Sequence, residues 1–393
     1  MTFTISNKTV LKIPLSEPVI SGNEWKYIKE CLDSGWVSSV GGFVNRFEEI
    51  VADYVSVKHA VAVVNGTSAL HVGLIACGVE PDDEVIVPTL TFIAPVNVIK
   101  YCGAYPVFMD CVVDTLCLDV QKVVDFLSNE CEQKQDGYTY NKKTKRRIKA
   151  IIPVHVFGHP VEMDDLLEIC QLYNIDIIED ATESLGSEYK GQRAGSLGRL
   201  GCLSFNGNKI VTTGGGGMVV TNDEDLAKRV KHLSTQAKSD PIEYDHDEIG
   251  YNYRLTNIQA AMGVAQMERL DEFIAIKRKN AFLYKDLLSE LKEVKFLWEE
   301  VWSKSNFWFY TIKVNSEHKK PLMEYLLSRN IQIRPIWKLI HALPMYYGFQ
   351  SYEIDNAIDA YEGCISIPCS VDLKENDIEY VVGNIKDYYI KDK

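Results

Sequence analysis

Between residues 60 and 220, short runs rich in Val and Ile, apolar on both faces, alternate with stretches of helical periodicity. "AVAVVN" (60–65) reads as a strand and "TSALHVGLIACG" (67–78) as a helix ending at a glycine. "DEVIVP" (83–88) is the next strand, "TFIAPVNVIKYCG" (91–103) a helix and "YPVFMD" (105–110) a third strand. "KAIIPVH" (149–155), a helix over "MDDLLEICQLYN" and "IDIIED" (175–180) continue the pattern, which closes with "CLSF" (202–205) and "GMVVT" (217–221). A strand apolar on both faces has to be covered on both, and the intervening helices supply that cover. The alternation therefore predicts an α/β fold built on a buried, mainly parallel central sheet.

Beyond residue 250 the pattern changes. "NIQAAMGVAQMERLDEFIAIKRKNAFLYKDLLSELK" (257–292) is one long helical pattern with few breakers. After it come "FWFYTIKV" (307–314) as a strand, "KPLMEYLLSRN" (320–330) as a helix and "IQIRPIW" (331–337) as another strand. The length of 393 residues suits two domains. They are expected as a large domain over 1–250 and a smaller α+β C-terminal domain over 251–393, entered through the long helix.

Composition narrows the partners. A formal charge of -13 argues against a nucleic-acid binder, which needs a basic face to neutralise phosphates. No run is long and apolar enough to span a bilayer, and "MTFTISNKTVLKIPLSEP" has no apolar core of the kind a signal peptide carries. The ten cysteines are scattered without a C-x-x-C pair, so no metal site is expected. They read as buried free thiols of a cytoplasmic protein. "YTYNKKTKRRIK" (138–149) reads as an insertion ahead of a strand, its basic cluster a solvated hairpin.

"SFNGNKIVTTGGGGMVV" (204–220) places Lys209 between two apolar runs and ahead of four glycines. A phosphate-gripping P-loop has its glycines before the lysine, so that reading fails. A lysine that holds pyridoxal phosphate covalently needs a carboxylate to keep the pyridine nitrogen protonated. It also needs an aromatic face against the ring and a helix N-terminus for the phosphate. In an open parallel sheet these groups lie at the carboxyl ends of strands. Asp180 ends "IDIIED", where an acid is a helix cap about as often as a ligand. Gly66, Thr67 and Ser68 open a helix after a strand, Phe92 follows the next strand, and Ser204 precedes Lys209 by five residues. Each has an ordinary reading as cap, core or strand residue; their conjunction points to a cofactor site.

"EDATES", "SFNGNK" followed by "TTGGGGM", and "GYNYRLTNIQAAMGVAQMERL" together resemble the nucleotide-sugar aminotransferases of the DegT/DnrJ type. The resemblance runs from "IPLSEPVISGNEW" (13–25) to "SIPCSVDLKENDIEYVVGNI" (366–385). It implies the aspartate-aminotransferase fold (fold type I) with pyridoxal 5'-phosphate as cofactor. Position by position, it implies that Lys209 is the covalent anchor and catalytic base and that Asp180 partners the pyridinium nitrogen. Glu183 falls beside the ring hydroxyl, Gly66, Thr67, Ser68 and Ser204 at the phosphate, and Phe92 against the ring. Asn252 matches an asparagine that reaches the neighbouring subunit's phosphate, which implies a homodimer with shared active sites. Arg254 falls where an anion of the donor or sugar nucleotide sits, and His155 falls near the substrate. Thr182 stands where alanine is commoner, and the glycine run lacks an acidic residue often found in it.

The resemblance also selects the reaction, since relatives that dehydrate their sugar carry histidine where this chain has Lys209. It implies amino transfer from glutamate to a sugar ketone by ping-pong kinetics. The segments "RFEEIVADY" and "FIAPVNVIKYCGAYPVFMDC", together with the basic insertion, are similar to the group that aminates C4 of UDP-2-acetamido-2,6-dideoxy-4-keto-hexose. That group feeds bacillosamine or legionaminic acid synthesis, and the insertion leans to the legionaminic branch. "RPIWKLIHALPMYY" (334–347) is placed at the nucleotide end, with Trp337 and His341 as substrate contacts or core residues. GDP- or dTDP-linked sugars, or amination at C3, are the alternative, and a PLP-binding regulator is a further one.

Overall fold

The alternating runs pair into a single central sheet. The computed structural model describes residues 13–240 and 242–391. Eight strands lie in the order His59–Val63, Gly217–Thr221, Leu200–Ser204, Asp176–Asp180, Ile148–Ile151, Glu84–Pro88, Tyr105–Met109 and Ser351–Tyr352. All run parallel except Gly217–Thr221, which is antiparallel to both neighbours. The sheet is therefore mixed around a parallel centre. The reversal has a local cause: the chain returns from Ser204 to Gly217 without a helix, and parallel neighbours need a crossover. The central strands are apolar on both faces because both are covered; Val85, Ile86, Val87, Val107, Phe108 and Ile151 are all fully buried.

Two features beyond residue 250 differ from the sequence reading. The expected long helix is two helices, Asn257–Met267 and Leu270–Leu288. The first starts at a capping box between Thr256 and Gln259 and packs into a core shared with Phe47 and Val51. Gly263 is needed there, because a Cβ would lie 2.6 Å from the Phe47 ring. The second buries Ala281, Tyr284 and Leu288 against Ile312, Ile365 and Ile385 of a different core. One continuous amphipathic pattern thus serves two cores: the second helix begins in the first core with Leu270, Phe273 and Ile274 and enters the other from Ala281 on. The second difference is the Ser351–Tyr352 strand, which adds to the large sheet beside Tyr105–Met109. Two residues carry no legible strand period, and an edge strand of this length is defined by its partner.

The smaller sheet, in the order Val294–Phe296, Tyr310–Val314, Cys364–Ile367, Arg334–Pro335, is antiparallel. Only Arg334 and Pro335 of the expected "IQIRPIW" strand pair into it, at its edge.

The insertion is not simply a solvated hairpin. Cys131–Gln133 pairs with Thr139–Asn141, and the basic residues that follow clip the start of the central sheet. Arg147 chelates Asp83, Lys149 reaches Asp176 at 2.5 Å, and the Arg146 guanidinium lies 3.8 Å from the Tyr105 ring centre. These partners stand at the amino ends of the parallel strands. All ten cysteines are unpaired, nine of them buried. Among the described residues no helix is long and apolar enough to cross a membrane.

Candidate functional site

The carboxyl ends of the parallel strands open into a cavity of about 730 Å³. Its floor is built from short-range consequences of the sequence. The Asp176–Asp180 strand delivers Asp180, which is 3 % exposed and accepts the Thr182 N–H at 3.1 Å. Burial pushes its carboxyl up, while hydrogen bonds from Thr182 and the nearby Lys209 pull it back. Glu183 follows in the turn, with Oε2 accepting the Phe157 N–H at 2.8 Å. Burial raises its carboxyl to about 7 against the opposing pull of Lys209.

Lys209 enters from the turn between the Leu200–Ser204 and Gly217–Thr221 strands. Its Nζ lies 3.5 Å from Glu183 Oε1 and 3.8 Å from the Trp308 ring centre. Trp308 is itself fixed by an Nε1–H bond to the Asn208 carbonyl at 2.8 Å. Burial lowers the Lys209 amine from the ordinary lysine range, with Glu183 and Asp180 opposing. This amine thus spends more time neutral than a surface lysine, which a proton-moving or nucleophilic group requires.

The helix Gly66–Ala76 begins at the cavity wall, with Asn65 Oδ1 accepting the Ser68 N–H at 2.7 Å. Gly66, Thr67 and Ser204 line the cavity there. Backbone N–H groups of a first helical turn have no helical acceptor and favour an anion. A Cβ on Gly66 would sit 2.9 Å from Ser204 Cβ and 3.1 Å from Thr182 Cγ2, filling the cradle. The glycine run behind Lys209 makes this approach feasible. A Cβ on Gly217 would lie 2.4 Å from the Asn65 carbonyl carbon. Gly217→Ala should therefore push the strand away from the helix start and cost about 1–3 kcal/mol of stability. Thermal unfolding and the affinity for pyridoxal phosphate should both register that loss.

Pyridoxal phosphate is the group to test against this cavity. An anion cradle at a helix start, a buried carboxylate at a strand end and a buried lysine with a depressed pKa fit its phosphate, its ring nitrogen and its aldehyde respectively.

Not every expected residue reaches the cavity. Phe92, 53 % exposed, and Trp337 line it, their ring centres 6.4 Å apart. Ser68 is a buried residue of the first helical turn and does not line it. His155 is a correction: expected near substrate, it is fully buried beneath the site. Its Nδ1 accepts the Val161 N–H at 3.0 Å, so Nε2 carries the proton towards Glu179 Oε2 at 2.9 Å. Both ring nitrogens are thereby occupied. His341 is likewise turned inward, its Nδ1 2.7 Å from Thr89 Oγ1, and it does not line the cavity. Asn252 is exposed and outside this chain's own cavity. Arg254 lies away from it too, donating to the Ser39 carbonyl at 3.3 Å.

Sequence reasoning missed Trp308 and Phe157. "FWFYTIKV" reads as an ordinary strand, yet Trp308 precedes the paired residues and turns to Lys209. Phe157 holds φ 54° and ψ 18°, a left-handed conformation costly for an aromatic residue. That strain presents its N–H to Glu183 and its ring to Trp337, centres 4.6 Å apart. No one-dimensional pattern announces such a conformation.

Comparison with known proteins places the chain in a family and a fold. The model of the DegT/DnrJ/EryC1/StrS aminotransferase family matches residues 18–386. A GDP-perosamine synthase of Escherichia coli O157:H7 is 38% identical over 379 residues, covering 96% of this chain and 98% of that protein. PseC of Helicobacter pylori, an aminotransferase involved in pseudoaminic acid biosynthesis, superposes with a TM-score of 0.85 at 26% identity, covering 95% and 98% of the two chains. Spr1654 of Streptococcus pneumoniae, solved in a PLP form, gives a TM-score of 0.86 at 25% identity over 96% and 99%.

Proposed function

This chain belongs to the DegT/DnrJ/EryC1/StrS aminotransferase family, and from that premise we propose that it moves an amino group from glutamate to the ketone of a nucleotide-linked sugar. The observation that carries the proposal is the meeting of Lys209, Glu183 and Asp180 beside the Gly66 cradle. Pyridoxal phosphate, the cofactor of these aminotransferases, supplies when bound an electron-accepting ring and a place to store the amino group between substrates.

The chain's own residues do the rest. Gly66, Thr67 and Ser204 would bind the phosphate at the helix start, and Asp180 would keep a proton on the pyridine nitrogen. Glu183 and Phe92 line the same cavity and would hold the ring. Lys209 would anchor the cofactor, and its amine is the group that would take and return the proton of the substrate's nitrogen-bearing carbon. The Trp308 ring, its centre 3.8 Å from that amine, orients it.

For the sugar nucleotide, the GDP-perosamine synthase at 38% identity supports a GDP-linked substrate over the UDP-linked one expected from sequence. The basic insertion, which leans to the legionaminic branch, sits at the opposite ends of the strands from the cavity. The UDP-linked 4-keto sugar remains a second reading, on the likeness of the segments "RFEEIVADY" and "FIAPVNVIKYCGAYPVFMDC".

We also infer a homodimer that completes each site in trans. The exposure of Asn252 outside its own cavity supports this.

The test is an absorbance titration of purified protein loaded with pyridoxal phosphate. Glutamate should remove the visible band of the bound cofactor. A GDP-linked 4-keto-6-deoxy sugar should restore it; restoration by the UDP-linked sugar alone would reverse the nucleotide assignment. No response to glutamate would defeat the aminotransfer reading.

A further inference from the structure

Two cationic side chains line the cavity, Lys209 and Arg334. Lys209 is engaged by Glu183. Arg334 is exposed, on the edge strand of the small sheet opposite Ser366, and among the described residues its guanidinium has no ion-pair partner. Among the described residues most of the other arginines are paired with a carboxylate. Arg147, Arg193, Arg199 and Arg278 all sit 2.7 to 2.8 Å from a carboxylate. The inner wall carries Asp180 and Glu183 beside Lys209, and the N–H groups of the Gly66 helix start are the anion-favouring groups there. Arg334 adds, from the other sheet, a cation that no carboxylate engages, which attracts an anion entering the cavity.

Under the aminotransfer reading, on which this inference rests, both substrates present an anion on the far side of a short spacer from the reacting carbon. For glutamate it is the side-chain carboxylate, and for the sugar nucleotide the diphosphate. Ping-pong order brings the two to the same cavity in turn, so one cation can serve both. The planar fork of arginine pairs bidentately with carboxylate and with phosphate alike. We propose that Arg334 is a shared anion clamp, holding the donor's distal carboxylate in one half-reaction and the nucleotide's diphosphate in the other. Phe92 and Trp337 are among the apolar side chains of the same lining. Because Arg334 belongs to the small sheet and Lys209 to the large one, the clamp also ties substrate occupancy to the seating of the two units.

The experiment uses the pyridoxal phosphate-loaded protein and its Arg334→Ala and Arg334→Lys variants. Three readouts are taken: the glutamate concentration that half-removes the cofactor band, the dissociation constant of GDP or UDP by calorimetry, and the saturated rate of the glutamate half-reaction. Arg334→Ala should keep the cofactor band, showing that the fold and cofactor site are intact. It should weaken glutamate and the nucleoside diphosphate each by about 10-fold or more, as expected for a lost charge-assisted bond. The saturated rate should fall less than the affinities, and Arg334→Lys should recover part of both. Weakening of only one ligand, or of neither, overturns the shared clamp. A wild-type protein whose band ignores glutamate overturns the aminotransfer reading itself, and the clamp with it.

Discussion

Lys209→Ala should still bind pyridoxal phosphate yet turn over about 10⁴-fold more slowly than the wild type, the upper end of what a positioned acid–base group supplies. Two losses combine in this variant: the amine that bonds the cofactor and the amine that moves the proton. The cavity itself should survive, because Lys209 is tied to it only through Glu183 at 3.5 Å and the face of Trp308. Borohydride treatment followed by peptide mass analysis provides a readout apart from turnover. It should fix the cofactor to the wild-type peptide carrying Lys209 and leave the variant unlabelled. Lys209→Arg separates charge from chemistry. It restores a cation beside Glu183 but offers no neutral amine, so its activity should stay with that of the alanine variant. Wild-type turnover in Lys209→Ala, or labelling of another lysine, would remove Lys209 from the role proposed for it.

Asp180→Asn should lower kcat by about 10²–10³-fold, the scale of removing one preorganised electrostatic contact from a buried site. Asparagine keeps the volume and can still accept the Thr182 N–H, so the change is one of charge rather than packing. Burial already works against the Asp180 carboxylate, and Thr182 and Lys209 hold it back from neutrality. A carboxylate in that position loses its charge on acidification sooner than an exposed one. The wild-type rate should accordingly fall on the acid side, and the variant should lack that limb of its pH profile. Cofactor anchoring should persist in Asp180→Asn, since Lys209 is untouched; borohydride labelling equal to wild type would show it. Turnover equal to wild type would mean that another carboxylate, with Glu183 the nearest candidate, partners the ring nitrogen.

The chemistry at the centre of the site is legible in the sequence because it is encoded locally. Burial on both faces writes Val and Ile runs, and an acid closing such a run marks a strand's carboxyl end, where Asp180 lies. The Asn65–Gly66 helix start and the lysine ahead of four glycines are likewise short, contiguous signals. Local signals mislead where a residue's role depends on distant partners. His155 and His341 sit in the expected neighbourhoods, but both ring nitrogens of His155 are taken by Val161 and Glu179 and Nδ1 of His341 by Thr89, and neither lines the cavity. The basic insertion reads as free because its carboxylate partners, Asp83 and Asp176, are far from it in sequence or on other strands.

By itself the sequence determined an α/β sheet with its reactive residues at the strand ends, since side-chain period and turn chemistry act over a few neighbours. Only the tertiary structure decided what surrounds Lys209. Trp308 and Arg334, each about a hundred residues or more away along the chain, are brought to the cavity by the C-terminal segments that complete its wall. It also decided that one long helical pattern would divide between two cores. The physical reason is the same in both cases. Periodicity states which face of an element is apolar, and only the packing of whole elements states what that face meets.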